Sequence, residues 1–407
     1  MLPLPVALLL ITLAVFILLN FGPLSATKPR SPVYLDNNGT TKIFDESLEL
    51  MDLIYKKYYG NASAIYSFGA MSKQLLESCR KRMAAMLRCE PCEIYFTSGA
   101  TESNNIAIRG VYNKYKHKGK HVITSSIEHP SVLETVKSLE GADVMFLPVD
   151  KYGKINLQQL ENSIRQDTVL VTIIMGSNEI GTLQDVKAIA SICNKKGVHF
   201  HCDMTQVIGK YRVNLSFLGV SSATGSGHKF HGPKATGFMY LKKGTYFESC
   251  MSGGHQEKNI RSGTENIPGI VGMCYALYLC YNQIASGADI KIKAIRDWME
   301  REIVENVPGT FVNGSPKDRL YNTLSVIVPV DSLSLVQKLD ALGIYANTGS
   351  ACSQGKGSSV LNAIGIPFEQ QKGGLRISLG FLNNRRECVW ATRMIIKCCH
   401  DMLKEKH

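Results

Sequence analysis

Short strand-like runs, each followed by a segment of helical period, constrain this 407-residue chain more than any other feature. The apolar or β-branched runs are Ile94 to Thr97, His121 to Thr124, Val144 to Pro148, Val169 to Ile174 and Val198 to Cys202. They alternate with helical patterns such as Thr101 to Lys116 and Asp185 to Asn194. Near-continuous apolar strands bury both faces, and parallel strands joined by right-handed crossovers allow this because the helices cover the sheet. The expected fold is therefore α/β with a mostly parallel central sheet. After about Gly287 the pattern changes to a long charged helix, short strands around Asn322 to Val328 and Leu375 to Leu379, and a C-terminal helix. This reads as a smaller α+β domain, and a chain of this length that is 44% hydrophobic can bury both cores.

The twelve cysteines have no repeating spacing, so they read as mostly reduced thiols rather than a disulfide scaffold. Cys89 and Cys92 form a lone CxxC with no second ligand pair nearby, and no metal site is expected. The net charge of +12 is dispersed apart from small clusters such as Lys114 to Lys120 and Arg385-Arg386, without interleaved aromatics. That distribution argues against a nucleic-acid partner.

Residues 2–19 carry no charge, and as a helix they would span roughly 27 Å, close to the hydrocarbon thickness of a bilayer. Lys28 and Arg30 follow the run and no basic residue precedes it, so the expectation is a membrane anchor with the catalytic part facing the cytosol. The alternative is an organelle-targeting leader that is cleaved, although no basic n-region or A-x-A-like site is evident. Residues 1–30 are accordingly set apart. A large domain is expected over 45–285, and a small one over 31–44 with 286–407.

Two segments point to chemistry. Ser226-Gly227-His228-Lys229 places a lysine in a glycine-rich turn, as a Schiff-base lysine requires, and Thr348 to Cys352 places Cys352 among small residues. Thr97 to Glu102 follows a strand and opens a helix, where free backbone N–H groups and the helix dipole favour a phosphate. Asp203 ends another strand, at the edge where a parallel sheet presents residues to a ligand. An aspartate for a pyridine nitrogen and a lysine for an aldehyde are the protein groups that pyridoxal 5'-phosphate most needs.

Nine segments then occur in order: YLDNNGTT (Tyr34 to Thr41), TSGATESNN (Thr97 to Asn105), EHPSV (Glu128 to Val132), SNEIG (Ser177 to Gly181), DMTQ (Asp203 to Gln206), SGHKFHGPK (Ser226 to Lys234), RSGTEN (Arg261 to Asn266), GSAC (Gly349 to Cys352) and LRISLG (Leu375 to Gly380). Together they resemble the motifs of the NifS-like cysteine desulfurases of the class V aminotransferase family, over about residues 33–400. The resemblance implies a fold-type I, pyridoxal-phosphate-dependent homodimer acting on L-cysteine. It implies that Lys229 condenses with the cofactor, Asp203 pairs with its ring nitrogen, Gln206 bonds its phenolic oxygen and His129 stacks on its face. Ala100, Thr101, Ser226 and His228 would hold the phosphate, with Thr264 reaching it from the other subunit. Arg376 and Asn178 would bind the substrate carboxylate. Cys352 would take the sulfur as a persulfide and pass it to an acceptor protein such as an iron-sulfur scaffold.

Three departures stand out. Gly60-Asn61-Ala62-Ser63-Ala64-Ile65-Tyr66 lacks a histidine usual in the family, Phe381-Leu382-Asn383-Asn384 replaces a segment that often carries arginine and threonine, and Ser177 stands where asparagine is usual. Two other readings stay open at this point: a selenocysteine lyase, and a membrane-tethered sulfur-relay scaffold with little turnover.

Overall fold

The computed structural model describes residues 28–349 and 357–405. The uncharged run 2–19 and Cys352 lie outside the described residues. Among those described, no helix is long and apolar enough to cross a membrane.

In chain order the strands are β1 (Val33–Tyr34), β2 (Ile94–Thr97), β3 (His121–Ser125), β4 (Asp143–Leu147), β5 (Thr168–Ile174), β6 (His199–Asp203), β7 (Ser222–Ser226), β8 (Gly237–Leu241), β9 (Phe311–Val312), β10 (Thr323–Ile327), β11 (Ile344–Tyr345), β12 (Asn347–Thr348) and β13 (Gly374–Ser378). A seven-stranded sheet has the order β2-β8-β7-β6-β5-β3-β4. Its β4, β3, β5, β6 and β7 run parallel, and helices such as Ala100–Tyr115 and Val186–Lys195 lie between consecutive strands. Every residue of β5, Thr-Val-Leu-Val-Thr-Ile-Ile, is buried, which explains why its sequence does not alternate.

The exception is β8, antiparallel to both neighbours. Its link from Ser226 to Gly237 is too short for a parallel crossover of a dozen or more residues. That link carries Lys229. Antiparallel pairing of β8 with β2 brings Gly237 against Gly99, where a Cβ on Gly237 would stand 2.6 Å from the Gly99 Cα. Gly99 itself has φ +153, a conformation L side chains rarely adopt, so glycine suits both sides of the contact.

The main core gathers side chains such as Ile173, Phe200, Cys202, Phe238 and Leu277. A second core joins Val33 and Leu35 to Leu324, Val326, Ile377 and Ile395. Here β12, β13, β10 and β9 form an antiparallel sheet, while β1 pairs in parallel with β11. The chain's first strand is thereby packed with its last third. Residues 36–41 then pass from the second core to the loop around Lys229.

Candidate active site

A cavity of about 460 Å³ opens at the C-terminal edge of the parallel strands. Its floor is built by chain ends: Asp203 closes β6, Ser226 closes β7, and Gly99 precedes the helix Ala100–Tyr115. The first amides of that helix have no carbonyl one turn earlier to bond within it, so they form a ready anion cradle. Ala100, Thr101, Ser226 and His228 line that end of the cavity.

Lys229 reaches into the cavity from the short 3-10 turn Gly227–Lys229. Its Nζ donates to the carbonyls of Asn38 (2.8 Å) and Gly39 (2.7 Å). Burial and the Arg376 guanidinium push its pKa down to about 8, with Asp36 and Asp203 partly opposing them. The loop beyond it is held in unusual backbone: His231 has φ +62 and Ala235 φ +54. The His231 amide donates to Thr41 Oγ1 (2.7 Å) and its ring stacks on Phe44, which secures that geometry.

Asp203 is 2% exposed. Its Oδ1 accepts from the Thr205 amide (2.9 Å) and its Oδ2 from Asn104 Nδ2 (2.9 Å). Asn104 is a buried hub, for its Nδ2 also donates to Ser131 Oγ and its Oδ1 lies 3.0 Å from His201 Nε2. Ser131 in turn sits 2.8 Å from His129 Nδ1 and gives its amide to the same nitrogen. One amide side chain thus ties the carboxylate to the histidine. Burial lowers the pKa of His129, with repulsion from Lys229 in the same direction and Asp203 opposing, so its imidazole is held neutral. His228 is pushed down to about 4 by burial and by Lys229, Lys234 and Lys210.

Arg376 projects from β13 outside the cavity lining. Its NH2 group pairs with Asp36 Oδ1 at 2.7 Å and its NH1 group donates to the Asn178 carbonyl at 3.3 Å. Its buried Nε has no partner among the described residues, and such a group favours an added acceptor. Asn178 lines the cavity. Thr264 is exposed and away from it, so one chain alone does not bring that hydroxyl to the anion cradle.

The segment carrying Cys352 leaves and returns beside the cavity. Before it, Asn347 Nδ2 donates to Asp36 Oδ2 (3.0 Å) and the Gly349 amide to the Gly374 carbonyl (2.7 Å). After it, Ser358 Oγ donates to Glu179, the neighbour of Asn178. The three departures have local accounts. Ser177 Oγ accepts from the amides of Glu179 and Ile180 (3.3 Å each), so serine closes this turn by itself. Ile65 and Tyr66 are exposed, whereas Asn384 caps the helix Arg385–Lys404 and Asn383 binds the Tyr34 carbonyl (3.0 Å).

Asp36, Asn38, Asn104 and Lys210 carry no individual signal in the sequence, although Asp36 and Asn38 fall in the segment Tyr34 to Thr41 and Asn104 in Thr97 to Asn105. Asn38 matters most: its carbonyl accepts from Lys229 and from Gln206 Nε2 (2.9 Å), and its own amide donates to the Asn178 carbonyl and Thr323 Oγ1.

The residues present fit pyridoxal 5'-phosphate. A low-pKa amine, a buried carboxylate with no cation bonded to it among the described residues, a neutral imidazole and a helix N-terminus all face one cavity of suitable volume.

Comparison with known proteins agrees with this geometry. The class-V aminotransferase family model matches residues 33–389. The chain is 42% identical to cysteine desulfurase IscS of Methanosarcina thermophila, over 87% of this chain and 89% of that protein. It is 38% identical to IscS of Dictyoglomus turgidum, over 87% and 91%. Among solved structures, a NifS-like protein superposes with a TM-score of 0.85 at 36% identity, covering 90% of this chain and 98% of the other. SspA, solved in complex with cysteine, superposes with a TM-score of 0.75 at 30% identity, covering 85% and 98%. The fold is the fold-type I, pyridoxal-phosphate-dependent α/β architecture expected above, with a central sheet that is mostly parallel. Family model, relatives and site agree, and the chain belongs to the class-V aminotransferase family, alongside the IscS and NifS-like proteins.

Proposed function

We propose that the chain is a pyridoxal-phosphate-dependent cysteine desulfurase that converts L-cysteine to L-alanine and leaves the sulfur on Cys352 as a persulfide. The observation that carries the reading is the meeting of the Lys229 amine and the Asp203 carboxylate at one cavity, behind an anion-binding helix terminus. The names of the two IscS relatives, both cysteine desulfurases, favour this reading over selenocysteine lyase or a scaffold of little turnover.

When bound, the cofactor supplies an aldehyde for amines and an electron-withdrawing ring. Asp203 would accept from the ring nitrogen and favour its protonated form, while Asn104 and the Thr205 amide keep the carboxylate oriented. His129, neutral and fixed through Ser131, would cover the ring face, and Gln206 would donate to the phenolic oxygen. Ala100, Thr101, Ser226 and His228 hold the phosphate, and the partner subunit's Thr264 completes that cradle in a homodimer. Arg376, steadied by Asp36, takes the substrate carboxylate with Asn178. Lys229 removes the substrate's Cα proton. The Cys352 thiolate attacks the substrate sulfur, so the carbon–sulfur bond breaks as a sulfur–sulfur bond forms. The products are alanine and a protein persulfide, and no outside oxidant is required. An acceptor protein, such as an iron-sulfur scaffold, then takes the sulfur. Residues 2–19 are proposed to attach the enzyme to a membrane.

Sulfur-labelled L-cysteine tests the assignment. Equal amounts of alanine and protein-bound label are expected in a single turnover, with the label on the peptide containing Cys352 and released by reductant. Alanine formed without bound sulfur, or label confined to another peptide, would overturn it.

A second expectation follows from the depressed Lys229 pKa. The neutral, reactive amine dominates above about pH 8 and the ammonium below it. Capture of pyridoxal phosphate by the cofactor-free protein should therefore quicken about tenfold per pH unit on the acid side and level off above about 8. Stopped-flow visible absorbance reads this directly, and a profile still rising steeply at pH 10 would contradict it.

A further inference from the structure

Lys210 is a buried lysine behind the cavity, one hydrogen bond from the cavity-lining Gln206, with no part in the chemistry above. It follows the turn after β6, is 6% exposed, and among the described residues is paired with no carboxylate. Its one side-chain partner among them is Gln206, whose Oε1 accepts from Nζ at 3.0 Å. A buried ammonium with a single neutral acceptor is costly, and an apolar side chain would fill the same space more cheaply. Packing alone therefore gives no reason for a lysine here.

The contact continues to the reacting amine. Gln206 Nε2 donates to the Asn38 carbonyl at 2.9 Å, and Lys229 Nζ donates to the same oxygen at 2.8 Å. Lys210 and Lys229 also line one small void of about 10 Å³. A carbonyl has no proton, so Asn38 takes the nitrogen end of the Gln206 amide and leaves the oxygen end to Lys210 Nζ, which can donate whether or not it is charged. With both ends assigned, one Nε2–H remains, and Gln206 lines the cavity. Burial and the nearby Lys229 lower the Lys210 pKa to about 7, as expected for a charge kept from water.

We propose that Lys210 is a positioning residue for the cofactor: by gripping Gln206 Oε1 it fixes and polarises the amide, so that the free Nε2–H points into the cavity as a donor to the cofactor's phenolic oxygen. This rests on the assignment of Gln206 made under the proposed function. Lys210 touches neither substrate nor cofactor and acts through Gln206 alone.

A double-mutant cycle tests it, with pyridoxal phosphate titrated into cofactor-free protein and followed by visible absorbance. Lys210→Met should weaken binding about ten- to a hundredfold, the range for hydrogen bonds to charged groups, and shift the visible band as Gln206→Ala does. In the Gln206→Ala background, Lys210→Met should change binding by less than about twofold, because the group it acts through is gone. Lys210→Gln, whose amide can still donate to Oε1, should recover most of the affinity and the band position, and it covers the case in which Lys210→Met fails to fold. Three outcomes overturn the proposal: wild-type affinity and band in Lys210→Met, multiplying effects in the double variant, or a Lys210→Gln protein that folds as judged by circular dichroism yet shows no recovery. A wild-type protein that never develops a visible band would sink the parent assignment of the cofactor as well. A normal wild-type band with any of the three outcomes sinks this proposal alone.

Discussion

Lys229→Ala should yield a folded protein that takes up pyridoxal phosphate without the visible band of a lysine adduct and makes alanine from L-cysteine at a rate lowered by at least about 10²–10⁴-fold, the range for losing a positioned acid or base. The fold should survive because the side chain bonds only two carbonyls, those of Asn38 and Gly39, in a partly exposed position at the cavity. Removing a desolvated ammonium also relieves a cost that its depressed pKa records. Far-ultraviolet circular dichroism and thermal melting check the fold, and borohydride reduction followed by peptide mapping checks the adduct. Borohydride-stable label on another lysine of the wild type, Lys210 included, would refute the assignment of Lys229.

Cys352→Ala should abolish protein-bound sulfur while leaving cofactor uptake and the visible band unchanged. The cavity-lining groups fitted to the cofactor all lie outside the segment that carries Cys352: they sit on the helix Ala100–Tyr115, on β6, β7 and the turns that follow them, and at His129 ahead of the helix Pro130–Lys137. The segment nevertheless starts and ends on residues bonded to the cavity's margin, through Asn347 to Asp36 and through Ser358 to Glu179. No residue fitted to the cofactor is changed in this variant, so the loss of bound sulfur should separate in experiment from any loss of cofactor uptake. Label should fall to background in the variant and alanine formation should fall with it. Undiminished alanine formation from L-cysteine would contradict the thiolate's attack, and a high rate retained only on selenocysteine would favour the lyase reading.

Much of the large sheet was legible in the sequence because its strands are buried on both faces. Runs of β-branched and other apolar residues such as Val169 to Ile174 have few other homes, and the structure starts that strand one residue earlier, at Thr168. The antiparallel turn of β8 was not legible: the short link containing Lys229 reads as a loop, and strand direction follows only from what the link can span. At the site, Lys229, Asp203 and the helix terminus carried local signals, namely a glycine-rich turn and two strand ends. Lys210, Asn104 and Asp36 carried none. Their meaning comes from contacts such as Asp36 with Arg376, 340 residues apart, or Asn104 with Asp203, 99 apart, and no local pattern encodes a partner at that distance. Arg376 and Thr264 were found only through the resemblance. The structure puts Arg376 at the margin and leaves Thr264 on an open surface.

The oxygen at position 38 that receives both the reactive amine and the Gln206 amide belongs to the main chain. No codon change can delete it, so this anchor is heritable without being encoded by any one side chain. Only displacement of residues 36–41 would remove it, and that stretch is moored at one end by β1 against β11 and the Asn38 backbone amide on Ser378 Oγ, and at the other by Thr41 on the His228 carbonyl. Genetic lesions that loosen this tether should therefore map to both moorings, the distant one around residues 344 and 378 as well as the loop around Lys229.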